Sequence, residues 1–308
     1  MNTQTAYARI ARRVRGSAAS DGAGVKLTRV IGGGELPDLD PFLLLDEFGT
    51  DRAEDYLAGF PDHPHRGFET VTYMLDGRMR HRDNHGNEGL LVPGSVQWMT
   101  AGRGLVHSEM PEQQEGRMRG FQLWVNLPAK DKMTEPRYQE FPAARIPVAQ
   151  PADGVEVKVI AGEVANGDST AVRGPIVQPA TEPLYLDVAL VANAGWDYAL
   201  PEGHNAFAYV FEGAGTFSDA SKPFGVLTEK DTPAGETLVR ERTGNRSLVV
   251  FDSGDEVTVQ AGDEGIRFLL VSGKPIEEPI AWYGPIVMNT RDELMQARME
   301  LSKGTFIK

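Results

Sequence analysis

The sequence predicts an all-β protein with two cores in one chain, and three observations carry that expectation. Short alternating or β-branched runs recur, broken every 8–12 residues by Gly, Pro, Asp or Asn, which is the texture of a β-sandwich or barrel. At 308 residues the chain is long for one core and natural for two, at roughly 150 residues each. Between two strand-rich halves, from about Pro128 to Asp153, lies a stretch rich in Pro, Lys, Glu and Ala. Proline supplies no ladder N–H, so this stretch is expected to be a linker rather than sheet. The expected division is 1–135, a linker at 136–154, and 155–308.

Taken in order, Ile10 to Val14 reads as a short strand entering Gly16. Gly67 to Leu75 and Met79 to Arg82 flank Asp76-Gly77, a hairpin signal because a type I′ turn needs positive φ at both central positions. Strands follow at Gly89 to Val92, Ser95 to Thr100 and Met118 to Leu127. The second half repeats the kind at Val155 to Ile160, Leu184 to Val191, Asn205 to Phe211, Thr237 to Val239, Ser247 to Phe251 and Ile266 to Ser272. One helix is expected, from about Thr290 to Ser302, with a cap, acids in its first turn and a stop before Gly304.

Composition narrows the function classes. The formal net charge of −13 repels a phosphate backbone, so direct nucleic-acid binding is not expected. No apolar run approaches the ~18 residues of a membrane span. The absence of cysteine removes disulfides, thiolate catalysis and Cys-bound metals, leaving six His and the carboxylates as ligands. Arg9, Arg12, Arg13 and Arg15 give the N-terminus the look of a transit peptide, but no apolar leader accompanies them, and the strand at Ile10 is the preferred reading, with a cytoplasmic location.

Two short stretches carry candidate chemistry. His63 and His65 stand at i, i+2, and so do His107 and Glu109, a spacing that puts both side chains of each pair on one face of a strand. Three imidazoles and one carboxylate suit Fe, Mn, Ni, Cu or Zn; a closed four-coordinate site would be structural zinc. Glu69 shares the parity of His63 and His65 but lies roughly 13 Å further along an unbroken strand, and is expected mainly as a supporting or rim residue. His81, Asp83 and His85 surround a turn and serve it rather than a second ion, although His81 could line the first cavity. His204 lacks an i+2 partner and is expected to be structural. Phe68, Tyr73, Trp98 and Met99 are core by default or cavity walls. Arg66 and Arg103 could hold an anion or point outward. Asn245-Arg246-Ser247 is a glycosylation sequon only in a secreted protein, and Gly32-Gly33-Gly34 lacks the context of a phosphate loop.

The runs His63 to Tyr73, Gln97 to Glu109 and Gln122 to Pro128, with Ser20 to Gly24, Asp40-Pro41-Phe42 and Val287 to Thr290, make the chain resemble the pirin family of the cupin superfamily. The resemblance covers nearly the whole chain and is densest over 40–128. It implies a bicupin: two antiparallel jelly-roll barrels, the first binding a metal through His63, His65, His107 and Glu109, the second metal-free, with a short C-terminal helix. It implies one divalent transition metal, iron first, with Mn, Ni, Co, Cu or Zn as alternatives. It further implies one of two roles. The first is a quercetinase-like dioxygenase that opens a flavonol with O2 and releases CO, Glu109 serving as base. The second is a non-catalytic iron-binding module that modulates a protein partner. A monomer is expected.

Overall fold

The computed structural model describes residues 10–219, 222–224, 228–231, 237–240, 243–244, 246–251 and 256–307. Arg9 and Asn245 lie outside the described residues. The described elements are strands apart from two 3-10 turns and one α-helix. No helix among the described residues is long and apolar enough to cross a membrane.

The chain divides into two compact units, one gathering the described residues of Met1–Gly16 and Pro147–Pro275, the other Ser17–Ile146 and Ile276–Lys308. These units differ from the division expected from composition because each end of the chain joins the half that is distant in sequence. Strand β1 (Ile10–Arg15) pairs with Ser247–Phe251, so the N-terminal strand belongs to the second half's sheet. The C-terminal segment belongs to the first half's unit, held there by hydrogen bonds that end on Arg66.

The unit of Ser17–Ile146 contains β2 (Ser17–Asp21), β3 (Val25–Ile31), β4 (Phe42–Thr50), β5 (Phe60–His65), β6 (Phe68–Asp76), β7 (Met79–Asp83), β8 (Glu88–Leu91), β9 (Val96–Thr100), β10 (Leu105–Pro111), β11 (Met118–Asn126) and β12 (Arg137–Phe141). They form a seven-stranded sheet, β12-β9-β6-β11-β4-β3-β2, and a four-stranded sheet, β5-β10-β7-β8. The facing surfaces touch where His65 of β5 meets Phe68 of β6 and Trp124 of β11. This two-sheet antiparallel packing is a jelly roll rather than a closed barrel.

Strand β12 corrects the linker expectation, since it lies within 136–154 and pairs with β9 along its whole length. Proline forbids it less than composition suggested, because Pro136 and Pro142 flank the strand and β12 sits at the sheet edge. The helix α1 (Arg291–Ser302) starts at a capping box: Glu293 N–H donates to Thr290 Oγ1 at 3.2 Å, and Thr290 N–H donates to Glu293 Oε2 at 2.9 Å. Its buried Ala297 packs with Ile286, Met288 and Phe306.

The other unit is built on one sheet whose main strands include Val155–Ala161, Leu184–Leu190, Asn205–Asp219, Ser247–Phe251 and Glu256–Gly273. Its interior is a continuous apolar cluster that includes Val157, Leu186, Trp196, Phe217, Phe268 and Leu270.

Candidate metal centre

Strands β5 and β10 are neighbours, with His107 opposite His63 and Leu105 opposite His65. The register then slips, so that Glu109 stands opposite Phe60. The three imidazoles converge: ring centroids lie 4.4 Å apart for His63 and His107, 4.7 Å for His63 and His65, and 4.9 Å for His65 and His107. One nitrogen of each falls within 4.8 Å of the others.

These nitrogens are suited to an ion. His63 Nδ1 lies 2.8 Å from the Pro61 carbonyl. A carbonyl only accepts, so the proton sits on Nδ1 and Nε2 keeps its lone pair. His65 Nδ1 and both nitrogens of His107 are buried with no hydrogen-bond partner. Burial and the neighbouring imidazoles hold both rings well below the ordinary histidine pKa, in the neutral form that coordinates metals. Three converging imidazoles, with orphaned nitrogens on His65 and His107, have the donor set of a divalent transition ion.

Glu109 stands outside this 4.8 Å group but borders the same cavity as His63 and His65. Its Oε1 is 3.0 Å from the Thr72 hydroxyl, which is also 2.9 Å from Gln122 Oε1. That hydroxyl has one proton and donates to one of them at a time. Burial pushes the Glu109 carboxyl up, against the charge of His63, the Thr72 hydrogen bond and the charge of His81.

The cavity encloses about 620 Å³. Its apolar walls come from Phe48, Phe60, Trp124 and Trp282, not from the aromatics anticipated in the sequence. Phe68 instead braces His65 and Trp124, with centroids at 5.1 and 4.5 Å, while Tyr73 and Trp98 are buried on the opposite face of the seven-stranded sheet.

Glu69 is on that opposite face too. Its carboxylate accepts from Trp98 Nε1 at 2.8 Å and Thr100 Oγ1 at 2.6 Å, so it is neither a rim residue nor a neighbour of the imidazoles. The cause is Gly67, whose φ of +87° at the joint between β5 and β6 breaks the alternation that parity assumed. Only glycine fits there, because a Cβ would come within 1.9 Å of the Val287 carbonyl.

The arginines bind no ligand in this arrangement. Arg66 is buried, its Nη1 2.7 Å from Glu300, its Nη2 donating to the Phe306 carbonyl at 2.6 Å and its Nε to the Arg103 carbonyl at 2.5 Å. Arg103 pairs with Glu135 at 2.6 Å. His81 is buried, bonds Glu140 at 2.7 Å and lies across the strands from Glu109. Asp83 accepts from His85 and Asn87 within the turn. In the other unit His204 lies 3.3 Å from the Ser272 hydroxyl.

Sequence reasoning missed Lys132, which is buried and donates from Nζ to the Gly67 carbonyl at 2.8 Å and to Asn126 Oδ1 at 2.6 Å. It thereby fixes the joint that carries His65. Burial brings its amine down to about 8.

Residues 24–125 match the family model described as Pirin, and 185–307 match the Pirin C-terminal cupin domain. A pirin-like protein of Caulobacter vibrioides is 50% identical over 293 residues, 95% of this chain and 97% of that protein. The chain belongs to the pirin family. Among solved structures this pirin is similar to a quercetin 2,3-dioxygenase from Acinetobacter baumannii, at 31% identity and a TM-score of 0.82, covering 98% of this chain and 99% of that one. It shares its fold with a bacterial pirin from Escherichia coli solved in complex with nickel(II), at 16% identity and a TM-score of 0.61, covering 86% of this chain and 98% of that one.

Proposed function

We propose that the protein is a metal-dependent flavonol dioxygenase, acting in the cytoplasm on a quercetin-like substrate. The observation that carries this is the convergence of three imidazoles beside an aromatic-walled cavity that the buried Glu109 also borders. The likeness to the Acinetobacter quercetin 2,3-dioxygenase supports it.

His63, His65 and His107 would hold the ion, with Glu109 as the fourth ligand. Iron is the first candidate, and Mn, Ni, Co, Cu and Zn share the same donor preferences. When bound, a divalent ion supplies Lewis acidity that lowers the pKa of a coordinating hydroxyl. The protein's own part is to position and deprotonate. Trp124 and Trp282 flank a planar ligand and exclude water from it, and the Glu109 carboxylate takes the proton of the flavonol 3-hydroxyl. Thr72 holds Oε1 of Glu109, which orients the other oxygen for that transfer. The heterocycle then opens with both atoms of O2 entering the product, and carbon monoxide leaves.

The test is to load the protein with each metal in turn and follow metal content, flavonol absorbance, O2 consumption and CO release. Glu109→Gln is expected to lower turnover about a hundredfold or more while the imidazoles retain metal. Full occupancy without turnover for every metal overturns the dioxygenase and supports the iron-binding regulatory module.

A further inference from the structure

The cavity wall carries a polar track that no ligand role above uses. Across four adjacent strands, Thr72 of β6 stands opposite Gln122 of β11, Gln122 opposite Asp46 of β4, and Asp46 opposite Arg29 of β3. At about 4.8 Å per strand this row runs roughly 14 Å from the residue that bonds Glu109. The rows on either side are apolar where they line the cavity. Phe48 and Leu27 are opposed on one side, and Trp124 and Leu44 on the other, and all four line the cavity. A polar stripe between apolar banks, starting at the metal centre, is the complement of a planar aromatic whose hydroxyls point along one edge.

The far end of the stripe is charged and built. Arg29 Nε donates to Asp46 Oδ1 at 2.9 Å, and its Nη2 donates to Asp46 Oδ2 at 2.7 Å and to Asp21 Oδ2 at 3.0 Å. Asp46 is nearly fully buried. One guanidinium against two carboxylates leaves net negative charge, with lone pairs still open on the carboxylate oxygens. Such an end accepts hydrogen bonds from neutral hydroxyls and repels a carboxylate or sulfonate.

We propose that the Arg29–Asp46 pair, with Asp21 beside it, is the specificity determinant of the cavity and selects neutral planar substrates bearing ring hydroxyls remote from the metal. This rests on the dioxygenase reading for the orientation of the ligand, but its test does not depend on turnover. Anaerobic titrations of the metal-loaded protein, read by tryptophan fluorescence quenching, compare 3-hydroxyflavone, kaempferol, quercetin and a sulfonated quercetin. Quercetin is expected to bind about tenfold or more tightly than 3-hydroxyflavone, as hydrogen bonds to charged groups allow, and the sulfonate more weakly than quercetin by a similar factor. In Asp46→Asn the preference for quercetin over 3-hydroxyflavone should shrink to within about threefold. Asp21→Asn, at a half-exposed side chain, should halve the preference or more, with an unfolding curve matching the parent's confirming that the variant folds. Equal affinities across the series, or an undiminished preference in both variants, overturns the proposal. Turnover of bound quercetin in air is scored separately: hydroxyl-dependent binding without turnover defeats the dioxygenase alone, and turnover with hydroxyl-blind binding defeats the specificity track alone.

Discussion

The two units of this pirin share an antiparallel design and differ in what they enclose. In the unit of Ser17–Ile146 the buried residues include His65, His81, His107, Glu69, Glu109, Thr72 and Gln97. In the other, the interior is Val, Leu, Phe, Ala and Trp, with Asp187 buried in a bidentate pair with Arg267 at 2.9 and 2.7 Å. Desolvated polar groups cost free energy unless satisfied, so the first interior relies on hydrogen bonds beside its apolar clusters, and its orphaned imidazole nitrogens suit an ion. The second is held chiefly by apolar burial, with the Asp187–Arg267 pair as a buried charge contact. One fold thus encloses a polar-lined cavity in one unit and an apolar core in the other, and the choice is made at a few inward positions.

That contrast can be broken first at the imidazoles. His107→Ala should abolish stoichiometric metal binding, measured by elemental analysis, whereas His204→Ala should leave it unchanged, because His204 belongs to the other unit, where its ring lies 3.3 Å from the Ser272 hydroxyl. Next in size, Phe268→Ala in the apolar interior should cost about 3–5 kcal/mol in denaturant unfolding and leave the metal-to-protein ratio intact. A smaller effect, about 3 kcal/mol, is expected from Lys132, whose amine lies near 8 when folded and near 10.5 when free. Between those values the unfolded chain binds the extra proton, so its contribution to stability rises with pH and is lost as pH falls through about 8. Lys132→Met should flatten that rise, read as the pH dependence of the unfolding midpoint. Least of all, Thr290→Ala removes the helix cap and should cost about 1 kcal/mol without touching metal content.

Much of the site was legible because its logic is local. The i, i+2 pairs needed only strand periodicity, and the helix needed only its cap. Glu69 was misjudged because parity was carried through Gly67, where a left-handed residue resets it. Strand β12 was hidden by the prolines on either side of it, which mark its ends rather than forbid it. The affiliation of the two chain ends depends on partners more than two hundred residues away, such as Arg66 with Glu300, and no window of sequence contains both. The track from Thr72 to Arg29 depends on the register of four strands. Its one local trace is Asp46 between Leu44 and Phe48, a charge on the inward face of an apolar strand.

The grip of Arg66 on the tail has a consequence for biosynthesis. His65 is made early, yet the residue next to it is tied down by Glu300 and the Phe306 carbonyl, 234 and 240 positions later. Trp282 and Pro285, which border the cavity, also arrive late. A nascent chain on the ribosome therefore carries all three imidazoles of the cluster long before the residues that tie Arg66 and finish the cavity have been made.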